Sequence, residues 1–371
     1  MFRPAYLLLL LLFAGSVAKN LSAQSPAKPG ATSSPLASAT PTPSSTPAAR
    51  ALVDSMDSAD LKEAIQFLKN NYIKPETLNE TELGRAALEG ILARLGRGVV
   101  LLPDTGAEPT EPAALFFGEI LDGHIGYLRL GALNQANLEA LDADLKTFAS
   151  KKVDAAVLDF RATPATNDFP VAAEFAKRFC PKDKHLFTLR RTTAKQERTF
   201  TSDREPAYQG LMILLVDGDT AGAAEAVAGA IRLYDKALII GQQSAGRAVE
   251  YSDLKLPSGK VLRVAVGEAI LPEGLSLFPG GLKPDVPVEL APVDKREIFQ
   301  SSREKGMTPF VVENARPHLN EAALISGKNP ELEAMEAAQR RNRNPEKPGV
   351  HDSVLQRALD LITSIGIFQK R

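Results

Sequence analysis

The sequence predicts an α/β fold built on a largely parallel sheet, because strand-like and helix-like segments alternate through the middle of the chain. Short apolar runs indicate the strands, and apolar residues spaced three and four apart indicate the helices between them. The predicted strands are Ile125–Leu130, Ala155–Phe160, Leu211–Val216 and Ala237–Ile240, and the predicted helices are Leu138–Phe148, Pro170–Phe179 and Ala221–Leu233. Strands joined by helices pair in parallel, and the helices cover the sheet. With 44% hydrophobic content in 371 residues, the chain can form a large core.

Residues 1–23 have the pattern of a secretory signal peptide. Arg3 precedes an apolar run from Leu7 to Ala14, and the segment ends on small residues up to Ala23. A retained membrane anchor is the alternative, but a span needs about 20 apolar residues and Lys19 interrupts this run. We therefore expect signal cleavage, no stable membrane span afterwards, and export to a bacterial periplasm or cell envelope, or secretion.

Two segments separate this signal from the core. Residues 24–50 are mostly Pro, Ser, Thr, Ala and Gly, so we expect a disordered linker. Residues 51–102 are predicted to form a helical hairpin, with Ser58 and Asn79 as the N-caps of its helices. The first helix has Leu61, Ala64, Ile65, Leu68 and Tyr72 on one face. The second is predicted to have a buried stripe of Leu83, Ala87, Ile91 and Leu95. We expect a lid or packing arm, followed by a loop between Gly96 and Phe117.

The core is predicted over residues 103–290, and it ends in a different pattern from the one with which it begins. Turn residues flank an apolar run at Val261–Ile270, which predicts a β-hairpin. Residues 291–371 form a polar C-terminal extension, with a charged helix in which Glu336 precedes Arg340 by one turn. A closing helix, expected to pack on the core, has an apolar stripe of Val354, Leu355, Ala358, Leu359 and Ile362.

Composition excludes several classes of partner and cofactor. The 44 basic and 45 acidic side chains nearly cancel, so we expect no nucleic-acid partner. Cys180 is the single cysteine and excludes an internal disulfide. The four histidines lack metal-ligand spacing, and no cofactor motif is present, so we expect neither metal nor cofactor. Asp159 and Arg161, at the end of the second strand, are expected to form a structural ion pair. The oligomeric state is left open.

Several segments, taken in order, resemble the tail-specific, or carboxyl-terminal processing, serine peptidases. They are His124–Leu130, Val157–Arg161, Thr220–Glu225, Ile239–Gly241, Ser244–Arg247 and Gly281–Asp285. The resemblance implies a crotonase-like (ClpP/crotonase) spiral core, serine-type peptidase chemistry and a polypeptide partner. Many members of the family carry a PDZ domain that the stretch between Gly96 and Phe117 is too short to hold.

The residues that the family uses for catalysis are replaced in this sequence. Gly222 stands at the position of the nucleophilic serine, and glycine has no side chain to form an acyl-enzyme. Arg247 stands at the position of the lysine base, and a guanidinium stays protonated. Ala165 and Thr166 replace the glycine pair of the oxyanion loop. The sequence therefore predicts an enzyme fold without the family's catalytic residues.

Three interpretations stay open. The first is a pseudopeptidase that binds polypeptide segments in its vestigial cleft, with strand addition along a sheet edge as the mode of binding. The second is an active, divergent peptidase with Thr220 or Ser244 as substitute nucleophile, although Thr220 is expected to cap the helix that follows it and Ser244 to satisfy loop backbone. The third is a carrier of apolar ligands, since Thr220–Glu225 also resembles the tricorn and retinoid-binding branch.

Overall fold

The structure is a computed structural model, and it describes residues 47–311 and 350–369 except 105–114, 192, 194 and 236. The chain divides into two compact units at Asn79. The predicted signal peptide, most of the predicted linker and the predicted charged helix around Glu336 lie outside the described residues. Within the described ranges, no helix combines the length and the apolar character needed to cross a bilayer.

The first unit contains helices α1 (Pro47–Asp54) and α2 (Ser58–Asn71), then a 3-10 turn at Pro75–Leu78. The N-cap of α2 is Asp57, whose carboxylate accepts from the N–H groups of Ala59 and Asp60 at 2.8 and 2.9 Å. The prediction of Ser58 as the cap was therefore wrong by one residue, because the aspartate immediately before it supplies the acceptor.

The second unit begins with α3 (Glu80–Leu95), which follows Asn79 directly. The prediction of a buried stripe on α3 was wrong: no residue of this helix is buried, and Ile91 and Leu95 are about half exposed. Apolar spacing identifies the face of a helix, but it does not supply the surface that covers that face.

The main sheet of the second unit has six strands, most of which were predicted from the sequence. They are β2 (Phe117–Leu121), β3 (Ile125–Arg129), β4 (Ala155–Asp159), β7 (Leu211–Val216), β8 (Leu238–Gly241) and β12 (Val286–Pro287). Their order across the sheet is β12–β8–β7–β4–β3–β2. Neighbouring strands are parallel, except that β2 runs antiparallel to β3. This confirms the predicted parallel sheet.

A second sheet is antiparallel. Its strands are β1 (Val99–Leu102), β5 (His185–Arg191), β6 (Gln196–Thr201), β9 (Val249–Lys255), β10 (Val261–Leu271) and β11 (Leu275–Ser276). The order is β1–β10–β5–β6, with β9 and β11 pairing separately with β10. The β9–β10 hairpin confirms the predicted hairpin, whereas β1 lies in a stretch that was predicted to be a loop, and that prediction was wrong.

Helices cover both faces of the main sheet. Side chains of successive strand residues point to opposite faces, so the strands contribute apolar residues to two separate clusters. Leu128, Leu158 and Leu214 belong to one buried cluster, and Tyr127 and Val157 belong to another. Helices α4 (Gln135–Lys151), α5 (Phe169–Ala176) and α6 (Ala223–Asp235) pack in the first cluster, and α7 (Pro292–Lys305) and α8 (Ser353–Gln369) in the second. Cys180 is fully buried in the first cluster.

Helix α8 is the predicted closing helix, and the structure confirms that it packs on the core. Its entire predicted apolar stripe is buried, and the stripe shares a cluster with Tyr127 and Ile213 of the sheet. Burying one such Leu or Ile side chain contributes roughly 1.5–3 kcal/mol. The C-terminal helix is therefore an integral layer of the fold.

A buried ion pair network joins α8 to strand β4. The Arg161 guanidinium donates to Asp159 at 2.6 to 3.1 Å and to Asp352 at 2.8 and 2.9 Å, and all three side chains are essentially inaccessible. This confirms the structural pairing of Asp159 with Arg161. Asp352 also caps α8 by accepting from Leu355 N–H at 2.9 Å. Burial by itself would raise the pKa of Asp352, but Arg161 and the helix N–H groups outweigh it and lower that pKa.

A second buried arginine completes this network. Arg129 donates to the Ser302 hydroxyl of α7 at 3.1 Å and stacks over the ring of Phe299. Tyr127 donates its hydroxyl to Asp159 at 2.7 Å, and burial together with Asp159 raises the pKa of Tyr127 well above its usual value. Arg129 and Arg161 share the ring of Phe299, and the formal charges of these two buried arginines balance those of Asp159 and Asp352.

We predict that Asp352→Asn lowers the free energy of unfolding by about 3–5 kcal/mol, because it leaves the buried Arg161 charge without one of its partners. Asparagine caps helices as well as aspartate does, so this variant separates loss of charge from loss of the cap. Urea titration at pH 7 measures the effect. Because the pKa of Asp352 is lowered in the folded state, its contribution to the free energy of unfolding is complete above about pH 4. That contribution is lost as the pH falls through the folded-state pKa of Asp352.

The matched control is Asp253→Asn, which removes a partly exposed carboxylate paired with Arg263 at 2.8 Å. An exposed pair contributes about 0–1 kcal/mol, so the control should change stability little. Equal effects of the two substitutions would contradict the assigned role of Asp352.

Candidate functional site

The turn between β7 and α6 carries the residue that the sequence places at the reaction centre. Asp217 opens the turn by accepting from the N–H groups of Asp219 and Thr220 at 3.0 and 3.2 Å. Lys295 of α7 contacts the carboxylates of Asp217 and Asp219, each at 2.5 Å. Burial would lower the pKa of Lys295, but the two carboxylates outweigh it and raise that pKa. This lysine therefore stays charged and fixes the turn to α7.

Gly222 ends this turn in a backbone conformation that favours glycine. Its φ is +66°, in the left-handed region where other residues are strained. A Cβ atom added here would lie 3.1 Å from both the Ala165 Cα and the Thr166 N, and 3.2 Å from the Ala165 Cβ. The predicted oxyanion loop therefore packs directly against the predicted nucleophile position. Little room is left there for a side chain.

Glu225, in the first turn of α6, is the centre of the site. Its Oε1 accepts from the Ser244 hydroxyl at 2.5 Å and from the Gly246 N–H at 2.6 Å. Its Oε2 accepts from the Arg247 N–H at 2.7 Å and from the Gly222 N–H at 3.2 Å. Burial raises the pKa of Glu225, and these four hydrogen bonds only partly oppose that shift. One carboxylate thus joins the predicted nucleophile position to the predicted base position.

The two candidate substitute nucleophiles are both buried and hydrogen bonded. The Thr220 hydroxyl donates to the Phe160 carbonyl at 3.0 Å and accepts from the Asp217 N–H at 3.1 Å. The prediction that Thr220 caps α6 was wrong, because its hydroxyl bonds to residues that precede it in the chain and α6 begins only at Ala223. The Ser244 hydroxyl donates to Glu225 and accepts from the Leu282 N–H at 2.7 Å, as expected of a residue that satisfies loop backbone.

The structure therefore brings the sequence-predicted site residues together. Ala165 and Thr166 pack against Gly222, and Ser244 and the half-buried Arg247 meet it through Glu225. Thr220 joins the same loop, because its carbonyl accepts from the Ala245 N–H at 2.9 Å. The chemistry available here is that of a buried carboxylate surrounded by donors, next to a glycine that has no reactive group.

Sequence reasoning missed three residues of this region: Glu225, Lys295 and Asn167. For Glu225 a signal existed, since an acidic residue in the first turn of an otherwise apolar, buried helix needs nearby donors. Lys295 forms an ion pair with Asp217, and Asn167 is hydrogen bonded to Tyr251, so both have partners that are distant in the sequence. Distant pairs of this kind leave no periodic pattern in a single sequence.

Residues 124–288 match the model of Peptidase family S41. The chain carries a Peptidase family S41 domain. This S41 domain includes five of the six strands of the main sheet, all except β2, together with the turn with Gly222 and the loop with Arg247. The match confirms the resemblance drawn from the sequence.

Relatives of the S41 domain carry names that agree with this family. The chain is 30% identical over 173 residues to a carboxy-terminal-processing protease of Bartonella bacilliformis, covering 46% of this chain and 40% of the relative. It is 28% identical over 162 residues to carboxyl-terminal-processing peptidase 1, chloroplastic, of Arabidopsis thaliana, covering 43% of this chain and 33% of the relative. The matches thus span less than half the length of these curated relatives.

A solved structure also overlaps the S41 domain. The photosystem II D1 C-terminal processing protease is 21% identical, with a TM-score of 0.39, and the overlap covers 51% of this chain and 47% of that chain. The fold of this chain is mixed α/β, with one largely parallel and one antiparallel sheet.

We predict that Gly222→Ala destabilises the S41 domain by about 1–2 kcal/mol, because a Cβ atom is strained at positive φ. The nearby Gly218→Ala is the matched control, since its Cβ would meet no atom within 4 Å and its φ is ordinary. Thermal and urea unfolding of the two variants measure the difference. A Gly222→Ala protein as stable as the wild type would contradict the described turn.

We predict that Glu225→Gln destabilises the domain by about 2–4 kcal/mol at pH 7, since the amide NH₂ would face buried donors and leave them unsatisfied, at about 1–3 kcal/mol each. Urea titration measures the loss. The exposed Glu139→Gln on α4 is the control and should change stability by less than about 0.5 kcal/mol.

The pH dependence of stability gives a second test of Glu225. Its pKa is raised in the folded state, so wild-type stability should fall as the pH rises through that pKa. The Glu225→Gln variant has no carboxyl group to titrate at this position, and its stability should lack this fall. Equal pH profiles for the two proteins would contradict the assignment.

Proposed function

We propose that this S41 domain is a pseudopeptidase that binds a polypeptide segment in the peptidase cleft without cleaving it. The observation that carries the proposal is Gly222: the position aligned with the nucleophile has no side chain, lies at positive φ and is packed against Ala165 and Thr166. Acyl transfer needs an oxygen or sulfur atom at this point, and losing it abolishes that mechanism altogether.

The remaining parts of the site support the same proposal. The Gly222 N–H is directed at Glu225, so it is not available to a developing oxyanion. The guanidinium at position 247 carries N–H donors and no acceptor, so it cannot act as the general base. The relatives are named for processing carboxyl termini, which makes a polypeptide the natural ligand class. Export to the periplasm or cell envelope, signal cleavage and a crotonase-like spiral core belong to the same proposal.

A second candidate is an active, divergent peptidase that uses Ser244. The observation in its favour is the pair formed by the Ser244 hydroxyl and Glu225 at 2.5 Å, with a raised pKa on the carboxyl, because a nucleophile beside a base is the arrangement of serine catalysis. Against it stands the burial of Ser244, which is 2% exposed and already accepts from the Leu282 N–H. A substrate carbonyl would have to displace this backbone.

The carrier of apolar ligands has less support. A cavity of about 430 Å³ is lined by charged side chains that include Arg191, Arg198 and Glu250. Another of about 520 Å³ includes His124 and Asp154 in its wall. Carrier sites for apolar molecules are lined predominantly by hydrophobic and aromatic groups. The first cavity lacks such a lining, and the second combines Leu211, Ile362 and Ile367 with these polar side chains.

We predict that the purified protein binds fluorescein-labelled β-casein, a disordered polypeptide, with a Kd on the order of micromolar and leaves it intact. Fluorescence anisotropy measures binding, and gel electrophoresis after long incubation measures cleavage. A fluorophosphonate probe should not label the folded protein. Gly222→Ser should stay unlabelled as well, because Arg247 replaces the lysine base and the Glu225 carboxylate is already engaged by four donors.

Three results would decide against this function. Labelling that mass spectrometry maps to Ser244, and that Ser244→Ala abolishes, would establish the divergent peptidase. Labelling at Thr220 would do the same for that residue. Absence of both binding and cleavage in folded protein, checked by circular dichroism, would overturn the polypeptide-binding role itself.

A further inference from the structure

Strand β9 is an edge strand beside the candidate site. Among the described residues it pairs with β10 alone, and most of its length is exposed. An antiparallel edge strand presents N–H and C=O groups of every second residue away from its partner. Such an edge can accept an added strand from another chain.

The outward-facing residues of β9 follow from contacts at Tyr251. The backbone C=O of Tyr251 accepts from the Asn167 amide and its N–H donates to that amide, on the side of β9 away from β10. Because the direction of these groups alternates along a strand, the N–H and C=O of Asp253, two residues further on, also point away from β10. The far end of the hairpin agrees: the Leu256 N–H donates inward across the turn to the Lys260 carbonyl. Positions 251 and 253 are therefore the places where an added strand would pair.

The side-chain amide of Asn167 occupies one of these places. Its NH₂ donates to the Tyr251 carbonyl at 3.3 Å, and its Oδ1 accepts from the Tyr251 N–H at 3.4 Å. A carboxamide that both donates to and accepts from one strand residue reproduces the pairing of a peptide group in a neighbouring strand. Both bonds are long for N–H···O contacts and both are exposed, so they are weak.

Asn167 also connects this edge to the candidate site. It follows Thr166, whose backbone N would lie 3.1 Å from a Cβ at Gly222. A strand paired with β9 at Tyr251 would therefore run past the oxyanion loop and the vestigial nucleophile position. The β9 edge therefore lies next to the candidate site.

We infer that the outer edge of β9 is the docking edge for an extended polypeptide segment, and that Asn167 is an internal competitor which the segment displaces from Tyr251. The inference rests on the proposed polypeptide-binding function, and it adds the place of binding and an autoinhibitory contact. The occupant is a peptide backbone, because the group that holds the position in the free protein is itself an amide.

The first experiment removes the competitor. Asn167→Ala should tighten binding of fluorescein-labelled β-casein about threefold to tenfold in fluorescence anisotropy, because the segment no longer displaces two weak hydrogen bonds. Gln135→Ala, which removes an exposed amide hydrogen bonded to Glu139 on α4, is the matched control and should bind like the wild type. Melting temperatures of all variants verify that they are folded.

The second experiment blocks the edge in the Asn167→Ala background. Asp253→Pro removes the outward N–H of β9, which an edge strand tolerates in the folded state, and should weaken casein binding at least tenfold. Asp253→Ala removes the same carboxylate, and hence its pairing with Arg263, but keeps the N–H. It should bind like the Asn167→Ala parent.

The outcomes separate the inference from the proposed function. Casein binding that neither Asn167→Ala nor Asp253→Pro alters would overturn the docking edge and leave the polypeptide-binding function standing. Equal weakening by Asp253→Pro and Asp253→Ala would assign the effect to the ion pair, and the docking edge would again be wrong. No binding by any folded variant would overturn both proposals together.

Discussion

The fold depends on a single buried guanidinium. Arg161 lies between Asp159, at the end of strand β4, and Asp352, at the start of helix α8. Dehydrating these charges is unfavourable, and only multiple hydrogen bonds with good geometry offset that cost. The arrangement therefore tolerates little displacement of β4 or α8. Because Arg161 also begins the loop that carries Ala165, Thr166 and Asn167, the same contacts that hold the C-terminal helix fix the origin of the loop facing Gly222.

A second buried carboxylate has a comparable role in the candidate site. Glu225 accepts four hydrogen bonds, which come from the Gly222 turn and from the loop between Ser244 and Arg247. Polar groups that an enzyme would direct at a reacting bond are here directed at one another. Lys295 is similarly engaged with Asp217 and Asp219. The site is rigid and internally satisfied, which suits recognition of a ligand's backbone better than chemistry on it.

Much of this architecture could be predicted from the sequence, and the failures have physical causes. The parallel strands were predictable because Val157 and its neighbours are apolar on both faces, and the closing helix because Leu355 and Leu359 share a stripe. Strand β6 could not be predicted, because its first four residues are polar and exposed. It is a strand because it pairs with β5, a contact that its own residues do not indicate. The alignment of Gly222 and Arg247 with catalytic positions followed from family resemblance, but their connection through Glu225 depends on chain folding that local patterns do not encode.

The 191-residue separation of Arg161 from Asp352 has a consequence for how this protein is made. During synthesis, Asp159 and Arg161 leave the ribosome long before Asp352. One face of the main sheet lacks α8, one of the two helices that pack on it, until that point. Contacts this distant along the chain slow folding, and incomplete domains expose apolar surface. We therefore expect the second unit to complete its folding only after helix α8 has been synthesised, even though most of its strands emerge much earlier.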